Sequence, residues 1–90
     1  MGTTVGLILI SYDVSDKNKE VKDALIALGY KESWKNAGNE KIYHLPNTTL
    51  WHQSKSSKQG LVDMQSVCKN LKVKLEKAVS VKATEFVWFN

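Results

Sequence analysis

Residues 5–12 are apolar at nearly every position. Val5, Leu7 and Leu9 alternate with Gly6, Ile8 and Ile10, and Ser11 and Tyr12 close the run. A short stretch that is apolar on both faces predicts a strand in the middle of a sheet. The period then changes. Val21, Ala24, Leu25 and Leu28 recur at spacings of three and four, which predicts a helix with one buried face. Ser15 is placed to cap that helix, Asp16 suits the positive end of its dipole, and Gly29 supplies a left-handed stop. Ile26 falls outside the buried face.

Two extended stretches follow, 30–35 and 41–45, separated by the turn cluster Asn36-Ala37-Gly38-Asn39. Pro46-Asn47 punctuates the chain, and 48–53 is rich in β-branched and aromatic residues, as strands are. The pattern predicts two antiparallel strands here. The second lies near 48–53; the first is built from 30–35, from 41–45, or from both as one long bulged arm. Ser56 and Gln59 then form a capping-box signature. Leu61, Met64, Cys68, Leu71 and Leu75 make an apolar stripe, which predicts a second helix over 57–75. Residues 78–83 alternate as a strand, and Glu85-Phe86-Val87-Trp88-Phe89 is a further extended run, apolar on both faces.

The predicted order is β-α-β-β-α-β with an extra C-terminal extended segment. That order matches an α+β, ferredoxin-like sandwich: one domain, an antiparallel sheet and both helices on one face. Such a sheet has a second face to cover. With Ile8 and Ile10 assigned to it, a homodimer is the expected solution, with Phe86, Val87, Trp88 and Phe89 strapping onto the partner copy.

Charge adds a direction. The formal net charge is +4, and all 13 basic residues are lysine. Residues 1–53 hold 6 lysines and 6 acidic residues, whereas 54–90 hold 7 lysines and 3 acidic residues. A basic second half fits an anionic partner, RNA or DNA first. Lysine meets phosphate as a point charge and lacks the planar fork that reads base edges, so the expected contact is to the backbone. Lys58, Lys69 and Lys72 fall on one flank of the second predicted helix and form the candidate phosphate track, against the plainer reading of a solvated helix face. Trp34, Tyr43, Trp51 and Trp88 could stack bases, but at strand positions they read more readily as core or dimer contacts.

The single cysteine, Cys68, excludes an internal disulfide and any CxxC knuckle, and fits a reducing cytoplasm. No stretch reaches the length of a membrane span, so no membrane partner is expected. No basic segment precedes residues 5–10, so they do not read as a signal peptide. His44 and His52 stand eight apart with no cysteine to join them, which is poor metal-ligand spacing. Ser11 has no triad partners, and the glycines form no phosphate-cradling loop.

The candidate chemistry therefore centres on Asp13 and Asp16. A carboxylate where the first strand leaves the core, with a second three residues on, can ligate Mg²⁺ or Mn²⁺ through oxygen. In a symmetric dimer two Asp13 side chains could share one ion, and such an ion activates water for phosphodiester cleavage. The competing reading makes Asp13 a turn residue that accepts backbone hydrogen bonds and Asp16 a helix-start charge.

The stretch LILISYDVSDKNKEVKDAL resembles the small CRISPR-associated proteins that accompany the integrase in spacer acquisition, and the related SinR-like and VapD-like proteins. Those chains share a hydrophobic first strand ending in a tyrosine-aspartate pair, followed by an aspartate-rich turn and helix. Their tryptophan-containing strand is similar to YHLPNTTLWHQ here. The resemblance implies a ferredoxin-like homodimer and, in some members, a metal-dependent endoribonuclease or nuclease whose strand-end aspartate maps onto Asp13. Other members act as non-catalytic binding or regulatory modules, such as an antitoxin, a phage inhibitor or a scaffold.

Overall fold

The computed structural model describes residues 2–35 and 42–84. Its elements run β1 (Gly6–Val14), α1 (Asn18–Ala27), β2 (Ser33–Lys35), β3 (Ile42–His44), β4 (Thr49–Lys55), α2 (Ser57–Leu71) and β5 (Leu75–Lys82). β1 is the central strand of a three-stranded antiparallel sheet ordered β4-β1-β5. β4, α2 and β5 thus form a split crossover with β1 inserted between the two strands, and this is compatible with the ferredoxin-like expectation.

Alternation along β1 decides where the core lies. Ile8, Ile10, Tyr12 and Val14 are buried, and they join Val21 and Leu25 of α1 and Met64, Val67 and Cys68 of α2 in one cluster. Fully burying an aliphatic side chain contributes roughly 1.5–3 kcal/mol, so this cluster is the main stabilising feature. Ile8 and Ile10 are therefore on the helix-covered face, not the open one. The open face carries the other parity: Leu9 stands between Trp51 and Val81, Ser11 between Thr49 and Val79, and Asp13 beside Lys77. Val79 and Val81 are 52% and 44% exposed there.

Both extended stretches after α1 form, and they pair with each other. Ser33, Trp34 and Lys35 of β2 face His44, Tyr43 and Ile42 of β3. Among the described residues this hairpin joins the main sheet through one bridge, in which the Lys31 N–H donates to Trp51 O at 2.8 Å and the Trp51 N–H to Lys31 O at 2.9 Å. Where a full fourth strand was expected, the chain keeps one rung of ladder and then turns into its own hairpin. Residues Phe86, Val87, Trp88 and Phe89 of the expected dimer strap lie outside the described residues.

The helix ends are set by hydrogen bonds. At α2 the capping box forms: the Gln59 N–H donates to Ser56 Oγ at 3.2 Å and the Ser56 N–H to Gln59 Oε1 at 3.0 Å. α1 closes at Gly29, whose φ of 99° lets the Tyr30 N–H reach Leu25 O and its own N–H reach Ile26 O. α2 closes in the same way, but with Lys72 in the left-handed position at φ 57°. That stop ends the helix at Leu71, so Leu75 belongs to β5 and not to the helix. Ser15 does not cap α1. Its hydroxyl accepts from the Lys74 N–H at 3.0 Å and its N–H donates to Lys74 O at 3.0 Å, prolonging the contact between β1 and β5. The helix starts at Asn18 instead, after Lys17 at φ 56° with no side-chain cap.

Two core assignments shift. Leu28 is 45% exposed, because α1 has already ended when it is reached. On α2 the buried residues are Gly60, Met64, Val67 and Cys68, while Leu61 turns outward. Gly60 sets that rotation. A Cβ there would meet Ile8 Cδ1 at 2.8 Å, Ile10 Cγ2 at 3.0 Å and the Ser80 hydroxyl, so the bare glycine lets the helix settle onto β1 and β5.

Candidate functional site at the exit of β1

Asp13 is the last open-face residue of β1 and is exposed. The register with β5 slips directly after it: Asp13 pairs with Lys77 but Val14 pairs with Leu75, leaving Glu76 as the extra residue of a bulge. Such irregularities bend a strand and re-aim its side chains. Here the bulge sits at the rim of an open cleft of about 280 Å³ lined by Ser11, Asp13, Thr48, Lys77 and Val79. The cleft is where β1 leaves the sheet between the start of β4 and the first half of β5.

The two aspartates have different surroundings. Asp16 Oδ1 accepts the Lys17 N–H at 2.7 Å, a turn bond that accounts for an acid at this position. The Asp13 carboxylate takes no hydrogen bond and no ion pair among the described residues, so the backbone-capping reading of Asp13 is not what the geometry displays. Among the described residues no group of three His, Cys, Asp or Glu side chains gathers closely enough to hold a metal ion. Asp13 nevertheless suits Mg²⁺ or Mn²⁺ as a single ligand. Those ions commonly take one or two protein carboxylates and complete their shell with water and substrate phosphate. Asp16, with one oxygen already engaged, is the weaker donor.

The candidate phosphate track divides. Lys58 and Lys69 lie exposed along the outer surface of α2, with the exposed aliphatics Leu61 and Val62 between them. Lys72 is displaced from that row into the left-handed turn after the helix. Trp51 is engaged by its own chain: its indole N–H donates to Ser33 O at 3.0 Å, and the Lys31 ammonium stands 5.2 Å from its ring centroid. Cys68 is buried, and burial pushes its thiol above the ordinary range, as befits a core residue.

Below the same cleft, Tyr12 is buried, with its hydroxyl lacking a hydrogen-bond partner among the described residues. Burial first, then Cys68 and Glu32, push its phenol up to about 12, so it stays protonated at neutral pH.

A second polar cluster lies at the other end of α1 and has no counterpart in the sequence reading. Asp63 Oδ2 on α2 accepts from the Tyr30 hydroxyl at 2.8 Å and from Lys55 Nζ at 2.5 Å. The Lys55 ammonium is also 5.3 Å from the Tyr30 ring, whose edge meets His52 at 5.2 Å. Burial, then the bond to Asp63, drives the Tyr30 phenol far above its ordinary range. His52 Nδ1 accepts the Ser54 N–H at 3.0 Å, which leaves the proton on Nε2, where the ring bonds the Leu28 backbone. Residues 30 and 63 are brought together only by the packing of α1 on α2, so no local spacing could have announced the pair.

No protein-family model matches this chain, and comparison with curated proteins and with solved structures finds no match. No helix among the described residues is long and apolar enough to cross a membrane.

Proposed function

We propose that this chain is a dimeric, nucleic-acid-associated cytoplasmic protein in which Asp13 holds Mg²⁺ or Mn²⁺ for phosphodiester cleavage, as in an endoribonuclease of the CRISPR-associated type it resembles. The observation that carries the reading is the Asp13 carboxylate itself. It is exposed at the rim of a cleft, at the exit of the central strand, with no protein partner among the described residues. A divalent ion held there would lower the pKa of a bound water toward neutrality. Around it, Asp13 would fix the ion by charge and Lys77 would draw a phosphate toward it. The open face with Leu7, Leu9, Val79 and Val81 offers the surface for a second copy.

A second reading rests on the scarcity of catalytic partners near Asp13. With no three-residue ligand group among the described residues, a non-catalytic dimeric binding or regulatory module fits the same surface. One experiment separates them. RNA and DNA are incubated with wild type and Asp13→Asn, with and without each metal. The enzymatic reading expects metal-dependent cleavage that Asp13→Asn abolishes while leaving the circular dichroism spectrum unchanged. Absence of cleavage by wild type with either metal selects the binding module.

A further inference from the structure

Lys17 and three lysines of one short stretch, Lys72, Lys74 and Lys77, lie around the exit of β1. Lys77 is the cross-strand partner of Asp13. Lys74 is tied to the turn by both of its backbone bonds to Ser15, at 3.0 Å each. Lys17 follows Asp16 and sends its ammonium to Leu71 O at 3.3 Å, beside Lys72. All four are exposed.

Their pairing sets them apart from three other lysines of the structure; Lys58 and Lys69 of α2 likewise meet no carboxylate among the described residues, and what distinguishes the β1 end from them is the cleft that Lys77 lines with Asp13. Lys19, Lys22 and Lys55 are neutralised by Asp23, Glu32 and Asp63 at 2.9, 3.5 and 2.5 Å. Lys72, Lys74 and Lys77 meet no carboxylate within ion-pair distance among the described residues, and Lys17 meets only a carbonyl. Four lysines with Asp13, Asp16 and the exposed bulge residue Glu76 leave a net charge of +1 on this end. The negative end of the α2 dipole accounts for Lys17 and Lys72. It does not account for Lys74 and Lys77, which lie beyond the first turn of its reach, along β5.

The geometry points to this cluster, rather than the outer face of α2, as the surface that contacts the phosphodiester backbone of single-stranded nucleic acid. Lysine ammoniums act as point charges on phosphates without reading bases, and a single strand is narrow enough to follow the open cleft of about 280 Å³ between Asp13 and Lys77. A flat bilayer surface could touch the lysines but not enter that cleft. The inference rests on the nucleic-acid reading given above, but not on cleavage.

The test is binding, measured by fluorescence anisotropy with labelled 20-nucleotide oligouridylate and oligothymidylate. It is done in EDTA and in the Asp13→Asn background, so that neither cleavage nor a bridging metal contributes. Lys74→Gln with Lys77→Gln should weaken binding about tenfold at 50 mM salt and reduce the slope of log K against log salt by about 1.4, two single-strand phosphate contacts. Lys58→Gln with Lys69→Gln should leave both within about twofold. Equal or larger losses from the α2 pair would overturn the assignment. So would binding to phosphatidylserine vesicles, but to neither oligonucleotide, that is lost in the Lys74/Lys77 variant. Failure of the cleavage assay leaves this measurement unaffected, so the two ideas fall separately.

Discussion

The two ends of α1 handle charge in opposite ways. Beyond its C-terminus, Tyr30, Lys55 and Asp63 are joined by short hydrogen bonds, half-hidden from water, with His52 packed on the tyrosine ring. Before its N-terminus, Asp13, Lys74 and Lys77 stand exposed, with no side-chain hydrogen bond or ion pair among the described residues. A satisfied, partly buried network holds elements together, because breaking it strands polar groups that water cannot reach. Exposed charges without partners add little to stability, since solvent screens them. Their charge remains free to meet something else. The contrast separates what keeps the fold from what the fold presents.

The largest effect should come from breaking the first end. Asp63→Ala leaves the Tyr30 hydroxyl and the Lys55 ammonium without their shared acceptor, and should cost about 3 kcal/mol in urea unfolding. Tyr30→Phe removes one donor but leaves the ion pair, and should cost about 1 kcal/mol. If the two variants lost equal stability, the Tyr30–Asp63 bond would carry the whole effect and the Lys55–Asp63 pair would add nothing.

A smaller, pH-dependent effect belongs to His52. Burial first, then Lys55, lowers its pKa below the ordinary 6.5, and the Lys31 charge adds to this against an opposing pull from Asp63. Above pH 6.5 the ring is neutral in both the folded and unfolded chains, and His52 adds no pH dependence. As the pH falls below 6.5 the unfolded chain takes up the proton first, so stability declines until the folded pKa is passed. A protonated Nδ1 would also confront the Ser54 N–H that it accepts at neutral pH. His52→Asn, which keeps an acceptor near that position, should flatten the fall in melting temperature below pH 6.5. Direct NMR titration of His52 at or above 6.5 would remove the basis for this.

The smallest effect is expected where the functional proposal lies. Asp13→Asn and Lys77→Gln should each change stability by less than about 0.5 kcal/mol, the range of ordinary surface positions. A loss above about 1 kcal/mol from Asp13→Asn would mean that the carboxylate holds the turn, and would return it to a structural role.

Much of this architecture was legible because it is local. The Ser56–Gln59 box and the Gly29 stop use bonds spanning only a few residues, and both stand where the chain pattern puts them. Lys72 performs the same task as Gly29 without the residue type that advertises it, so the second helix read four residues too long. Ser15 misled for the opposite reason. Its type and position suit a cap, but Lys74, 59 residues away, supplied a competing backbone partner.

From the sequence alone came the central position of β1, the two helices, the strands on either side of the second helix and the candidate standing of Asp13. Each follows from side-chain period or residue type within a short window. Tertiary structure decided which parity of β1 is core. Leu7 and Leu9 are as apolar as Ile8 and Ile10, and only docking of α2 through Gly60 onto Ile8 and Ile10 chose between them. It also brought Lys17 to the Lys72–Lys77 stretch and Tyr30 to Asp63. Contacts of that kind depend on how elements pack in three dimensions, and residues far apart in the chain carry no local periodicity that records it.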